Sequence, residues 1–136
     1  MRFLYFDCFS GISGDMAVGA LVDAGVDPTA IEKELTKLNI ESEYQLRWTK
    51  VVKTGISSTK FHVDFPEKNR GHSHRHYSDI MKLIENAGFN NNVTKIALQI
   101  FEVIGRAEAK IHSIPLEKVH FHEVGAVDSI IDIVST

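Results

Sequence analysis

The sequence predicts a small α+β domain: a mainly antiparallel sheet, built from an N-terminal strand and a β-hairpin, packed with several helices. Three observations carry this. Phe3-Leu4-Tyr5-Phe6 is continuously apolar and bulky, as in a strand buried on both faces. Tyr44 to Phe65 alternates apolar and polar residues around a central Thr54-Gly55. The second half of the chain repeats its apolar residues at helical spacing. The order strand, helix, helix, hairpin, helices places the helices on one face of the sheet, with the first strand pairing with the hairpin. A chain of 136 residues reads as one domain, residues 1–136, and can bury a core without staples.

After the first strand, Asp7-Cys-Phe-Ser-Gly-Ile-Ser-Gly-Asp-Met16 is a small-residue loop opening a helix, with Ser13 or Asp15 as its cap. The helix runs through Ala17, Ala20, Leu21 and Ala24 to Gly25. Asp27-Pro28 starts a second helix, Asp27 as cap and Pro28 at its first position, with Ile31, Leu35 and Leu38 on one face. Tyr44, Leu46 and Trp48, then Thr59, Phe61, Val63 and Phe65, form the two arms of the hairpin, and His62 falls on the polar phase. Pro66 ends the second arm, and residues 66–77 read as a flexible His-rich loop. Ser78-Asp79 begins a helix stopped by Gly88-Phe89. Asn90 to Asn92 cap the longest helix, whose stripe is Val93, Ile96, Ala97, Ile100, Phe101, Ile104, Ala107 and Ile111. Asp128 or Ser129 caps a last helix that is apolar nearly all round and has no stop signal, so the sequence reads as the N-terminal part of a longer chain.

Composition excludes several functions. A net charge of −3 and no basic stripe argue against sequence-independent nucleic-acid binding. The single cysteine, Cys8, excludes a disulfide framework and fits a reducing cytoplasm. The apolar run after Arg2 is short and ends at Asp7, which rejects a signal peptide and a membrane span. The expectation is a soluble cytoplasmic domain; a homo-oligomer is compatible with the sequence.

Chemistry concentrates in three stretches. Val119 to Asp132 holds His120, His122, Glu123, Asp128 and Asp132, and imidazole with carboxylate suits nickel, zinc, iron or manganese. His120 and His122 point the same way only on extended backbone, whereas Asp128 and Asp132 share one face of a helix. His72-Ser-His74-Arg-His76 is a short tract of alternate histidines, a composition associated with metal handling. The loop at Ser10, Gly11, Ser13 and Gly14, before a helix N-terminus, suits a phosphate, although Asp15 there repels a bare anion. Ordinary structure competes at each place: a capped turn at Gly11–Gly14, a solvated loop at His72–His76, a polar loop before a helix at His120. His62 reads as a surface histidine, and His112 as a favourable charge at a helix C-terminus.

Taken together, Asp7 to Met16, the His-rich tract leading into His76-Tyr-Ser-Asp-Ile80, and Val119-His-Phe-His-Glu-Val-Gly-Ala-Val-Asp-Ser-Ile-Ile-Asp-Ile-Val134 resemble the nickel insertion protein family. The resemblance covers the whole chain in order. It implies a CTP-dependent cyclometallase (a lyase-class nickel chelatase) that inserts Ni(II) into pyridinium-3,5-bisthiocarboxylic acid mononucleotide, making the nickel-pincer cofactor of lactate racemase. It also implies that CTP, with Mn or Mg, binds a C-terminal part absent from this sequence. On that resemblance His120, His122 and Glu123 form the transient nickel site, with Asp128 as a further ligand or as the group that orients an imidazole, and His72, His74 and His76 capture the ion. Ser10, Gly11, Ser13 and Gly14 meet the substrate phosphate, and Glu123 or Asp15 is the base that removes a ring proton. Cys8 is either a thiolate ligand or inert. Two other functions fit the same residues: a nickel storage or delivery module without catalysis, and a metal-dependent phosphohydrolase.

Overall fold

The structure is a computed structural model that describes residues 3–66, 75–121 and 127–136. Its sheet, among these residues, is a two-stranded antiparallel hairpin, β1 (Gln45–Lys53) and β2 (Ile56–Asp64). Thr54 and Gly55 both have positive φ, 50° and 82°, which gives the two-residue turn whose twist matches the strands. The turn sets a register that pairs Leu46 with Val63 and Trp48 with Phe61. These four face the core, Phe61 fully buried and stacked on Trp48 at 4.5 Å between ring centroids. On the other face Arg47 pairs with His62, and the Arg47 guanidinium binds the Asp64 carboxylate at 2.7 Å. His62 is half-buried there and shares a hydrogen bond with Thr49.

The α+β class holds, but Phe3-Leu4-Tyr5-Phe6 is not a strand of this sheet. Phe3 is 81% and Tyr5 84% exposed. A run apolar on both sides needs a paired edge and cover on two faces. Here the hairpin's inner face is already taken by helices and its other face is polar.

Helix α1 (Gly14–Asp23) lies against β2. The approach is close because Gly19 has no side chain: a Cβ there would penetrate the Thr59 carbonyl oxygen. Asp23 fastens the end of α1, its carboxylate accepting from the Thr59 N–H and Thr59 hydroxyl at 2.6 Å each and from Lys50 Nζ at 2.5 Å. α2 (Pro28–Leu35) starts as its sequence dictates, with Asp27 accepting from the Thr29 N–H. It is joined to β1 by Trp48 Nε1, which donates to Glu32 at 2.6 Å. Short 3-10 turns at Thr36–Leu38 and Glu41–Glu43 lead into the hairpin.

α3 (Tyr77–Asn86) ends at Gly88, φ 72°, and α4 (Asn91–His112) is capped by Asn90 through the Val93 N–H. His112 lies 3.2 Å from Glu108 at the end of α4. A 3-10 turn, Leu116–Lys118, returns the chain toward α3, and α5 (Val127–Ser135) follows. α5 is central: Ile130 and Ile131 are fully buried in a core with Val18, Leu35, Phe61, Ile80, Ile84, Phe101 and Phe121. Each such side chain contributes on the order of 1.5–3 kcal/mol by leaving water. Asp128 and Ser129 both lie inside α5 and not at a cap before it; the Asp128 carboxylate accepts from the Ser129 N–H at 2.7 Å. The α4 stripe is only half used, with Ala97, Phe101 and Gly105 buried while Ile96, Ile100 and Ile111 are exposed. No helix among the described residues is long and apolar enough to cross a membrane.

Candidate functional site

The three sequence stretches meet at two places. The first is between α1 and α5. Gly14, the first residue of α1, abuts Asp132, so that a Cβ on Gly14 would lie 2.5 Å from the Asp132 Cβ. Asp15 sits one residue on, its carboxylate accepting from the Ser13 hydroxyl and its backbone facing the Asp132 carboxylate. Asp128, one helical turn before Asp132 on α5, adds a third negative charge. Burial, then repulsion from Asp15 and Asp128, raises the Asp132 carboxyl to about 6. One of its oxygens is buried without a hydrogen-bond partner. A cavity of about 380 Å³ opens beside it, lined among others by Ile12, Ser13, Gly14, Ile100 and Ile133.

The second place is between the start of α3 and the segment before residue 122. His76 and His120 form an antiparallel β-bridge, flanked by Tyr77 N–H to the Val119 carbonyl at 3.0 Å and Phe121 N–H to the Arg75 carbonyl at 3.4 Å. Their imidazoles are in contact but tilted, ring centroids 3.6 Å apart and planes at 45°. Both sides of the bridge are held. The His76 N–H donates to Asp79 at 3.1 Å, Arg75 donates to Glu43 at 2.6 Å, and Val119 and Phe121 are buried in the core.

The structure thus gives Arg75 to Tyr77 a fixed place, where a loop through residue 77 was expected. The bridge needs a partner far along the chain, His120 for His76, which local sequence does not announce. His72, His74, His122 and Glu123 lie outside the described residues. Among the described residues no group of three or more His, Cys, Asp or Glu converges to hold a metal ion. Ser10, Gly11 and Ser13 are exposed, and the Gly11 N–H already donates to the Cys8 carbonyl at 2.9 Å. Ser13 flanks α1 without capping it through its side chain. Asp132 carries the most perturbed carboxyl of the first group, yet only Asp128 stood out from the sequence as a ligand. The available signal was its i, i+4 relation to Asp128 on an otherwise apolar helix.

A family model described as "Nickel insertion protein" matches residues 4–136. The chain belongs to the nickel insertion protein family. A pyridinium-3,5-bisthiocarboxylic acid mononucleotide nickel insertion protein from Geobacillus kaustophilus is 59% identical over 143 residues, covering 100% of this chain and 34% of the relative. Proteins of the same name from Desulfitobacterium hafniense and Staphylococcus epidermidis are 51% and 49% identical, over 98% and 96% of this chain and 32% of each relative. The chain therefore spans about a third of the length of these curated relatives. No solved structure matches it.

Proposed function

We propose that this chain is the N-terminal, nickel-handling third of a cytoplasmic enzyme, a chelatase that places Ni(II) in pyridinium-3,5-bisthiocarboxylic acid mononucleotide. The observation that carries the proposal is the pairing of His76 with His120, two imidazoles from separate motifs held by one backbone bridge. Nickel is cargo here, so its site must release what it binds. Imidazole nitrogen is a borderline donor that holds Ni(II), and the sulfur donors of the substrate are softer and can take it over. His72 and His74 collect the ion, and His76, His120 and His122 hold it; Asp128 belongs with Asp15 and Asp132 at the other place and forms no three-ligand group with the two described histidines.

The substrate phosphate approaches the α1 N-terminus at Ser10, Gly11, Ser13 and Gly14. Because Gly11 N–H is engaged by Cys8, contact there comes from the neighbouring groups. The Asp15, Asp128 and Asp132 carboxylates repel a bare phosphate, so a cation accompanies it or arrives first. Formation of a nickel–carbon bond requires a ring proton to leave, and Glu123 or Asp15 accepts it. CTP with Mn or Mg belongs, on this proposal, to the part of the family's length that the chain does not span. The described residues form no three-ligand cluster for such an ion.

Nickel titration with metal analysis, on the chain and on a His76→Ala/His120→Ala variant, tests the proposal. Loss of the tightest site in the variant supports it. If that site survives and disappears only when His72 and His74 are replaced, the chain is a delivery module and the assignment of His76 and His120 is wrong.

A further inference from the structure

Helix α4 is apolar over too wide an arc for the core it serves. At 100° per residue, Ala97, Phe101, Ile104 and Gly105 occupy one sector, and Ile96, Ile100, Val103, Ala107 and Ile111 the sector beside it. Together they span about 200°, against roughly 100° for a helix lying on the surface of a domain. Only the first sector is covered: Ile96 is 56%, Val103 70% and Ile111 75% exposed. The uncovered sector runs along most of α4 and reaches, at Ile100, the cavity beside Gly14 and Asp132.

We infer that this uncovered sector is the seat of an amphipathic helix from the two thirds of the family's length that this chain does not span. The inference rests on the proposal that the chain is the N-terminal third of such a protein. Area decides between occupants. Five side chains at roughly 100 Å² each make about 500 Å², below the roughly 800 Å² per partner of a stable interface between free proteins. A second copy of the chain gains too little from this face alone. A tethered segment does not meet that requirement, because linkage holds it at millimolar effective concentration. Seated there, the helix covers the mouth of the cavity at Ile100 and walls the Asp132 carboxyl from water on its open side.

The test is a chimera in which residues 1–136 replace the matched third of the Geobacillus kaustophilus relative. In a Cys8→Ser background, the thiol of a Val103→Cys variant is labelled with a chromogenic disulfide, in the 136-residue chain and in the chimera. The expected result is labelling at least tenfold slower in the chimera, with a Val52→Cys variant at the hairpin end unchanged. Equal rates overturn the inference. So does slow labelling in the 136-residue chain that deepens with protein concentration, since a second copy then covers the face. A Val103→Glu variant of the 136-residue chain gives a second reading. It is expected to keep its far-UV circular dichroism and melt within about 2 °C of the parent. Unfolding would mean that the face belongs to the chain's own core, and overturns the inference as well. Nickel binding is read separately on the same samples. Protection at position 103 without nickel handling removes the functional proposal and leaves the seat, and the converse result does the opposite.

Discussion

The His76 and His120 rings meet at 3.6 Å between centroids, tilted by 45°, and the bridge that brings them together is flanked by two backbone hydrogen bonds and two buried core residues. The two rings therefore reach the same small volume without any side chain having to search for it. For a metal whose ligands must be gathered and later surrendered, a fixed pair limits the ordering entropy of binding while leaving the remaining coordination positions open.

A pair that shares one ion behaves non-additively. His76→Ala and His120→Ala are each expected to weaken nickel binding by about 10- to 100-fold, and the double variant by no more than a few-fold beyond the worse single one. His62→Ala, at the hydrogen bond with Thr49 on β2, should bind like the parent. Calorimetric titration of the four variants and the parent checks this. Losses that multiply in the double variant would show that the two rings serve different ions.

Local chemistry was readable in the sequence wherever one or two residues dictate the backbone. Asp27-Pro28 starts α2 and Gly88 stops α3, as their caps and φ preferences require, and Gly55 marks the hairpin turn even though Thr54 beside it takes a φ of 50° against its own preference. Long-range choices were not readable. Phe3 to Phe6 has strand composition, but pairing requires an edge that local residues cannot supply, and the run stays exposed. The α4 stripe was visible as one apolar arc, while the half of it that is covered depends on where α3, α5 and the Leu116–Lys118 turn pack. Asp128-Ser129 looks like a helix start, yet α5 includes both residues. At the candidate site, the sequence marked the three stretches. The contacts His76–His120 and Gly14–Asp132 are tertiary and needed the fold.

Gly19 makes the packing of α1 on β2 possible, so Gly19→Ala should destabilise. Alanine gains about 1 kcal/mol in helix propensity, but its methyl meets the Thr59 backbone carbonyl, which cannot move without breaking the hairpin. Overpacking of this kind costs about 1–3 kcal/mol, and a contact this close to backbone belongs at the upper end, leaving a net loss of up to about 2 kcal/mol. A denaturant melt of the variant checks it; a gain in midpoint would mean that α1 stands off from the sheet.

Asp23 should matter in acid. Hydrogen bonds from Lys50 and Thr59 lower its carboxyl from 3.8 to about 2. A group whose folded value is depressed contributes stability above its unfolded value and loses it as the pH falls through the folded one. Asp23→Asn is therefore expected to melt below the parent at pH 7, with the gap closing between pH 4 and pH 2. Thermal melts across that range test it, and a gap independent of pH would remove the carboxylate from the account.

Asp132 should behave with the opposite sign. Its carboxyl is raised from 3.8 to about 6, by burial first and by Asp15 and Asp128 next. Between these values the folded chain holds a proton that the unfolded chain has released, so stability falls as the pH rises from about 4 to 6 and then levels off. Asn at this position keeps the shape and an acceptor for the Asp15 backbone, but carries no charge to bury beside two carboxylates. Discounted for partial solvent exposure, Asp132→Asn is expected to be more stable than the parent by about 1 kcal/mol at pH 7.5. The difference should vanish near pH 4, where the native side chain is already neutral. Chemical denaturation at the two pH values decides it. Equal stability at pH 7.5 would mean that the charge on Asp132 is already compensated in solution, for which a bound cation is the natural source, and adding a chelator should then restore the gap.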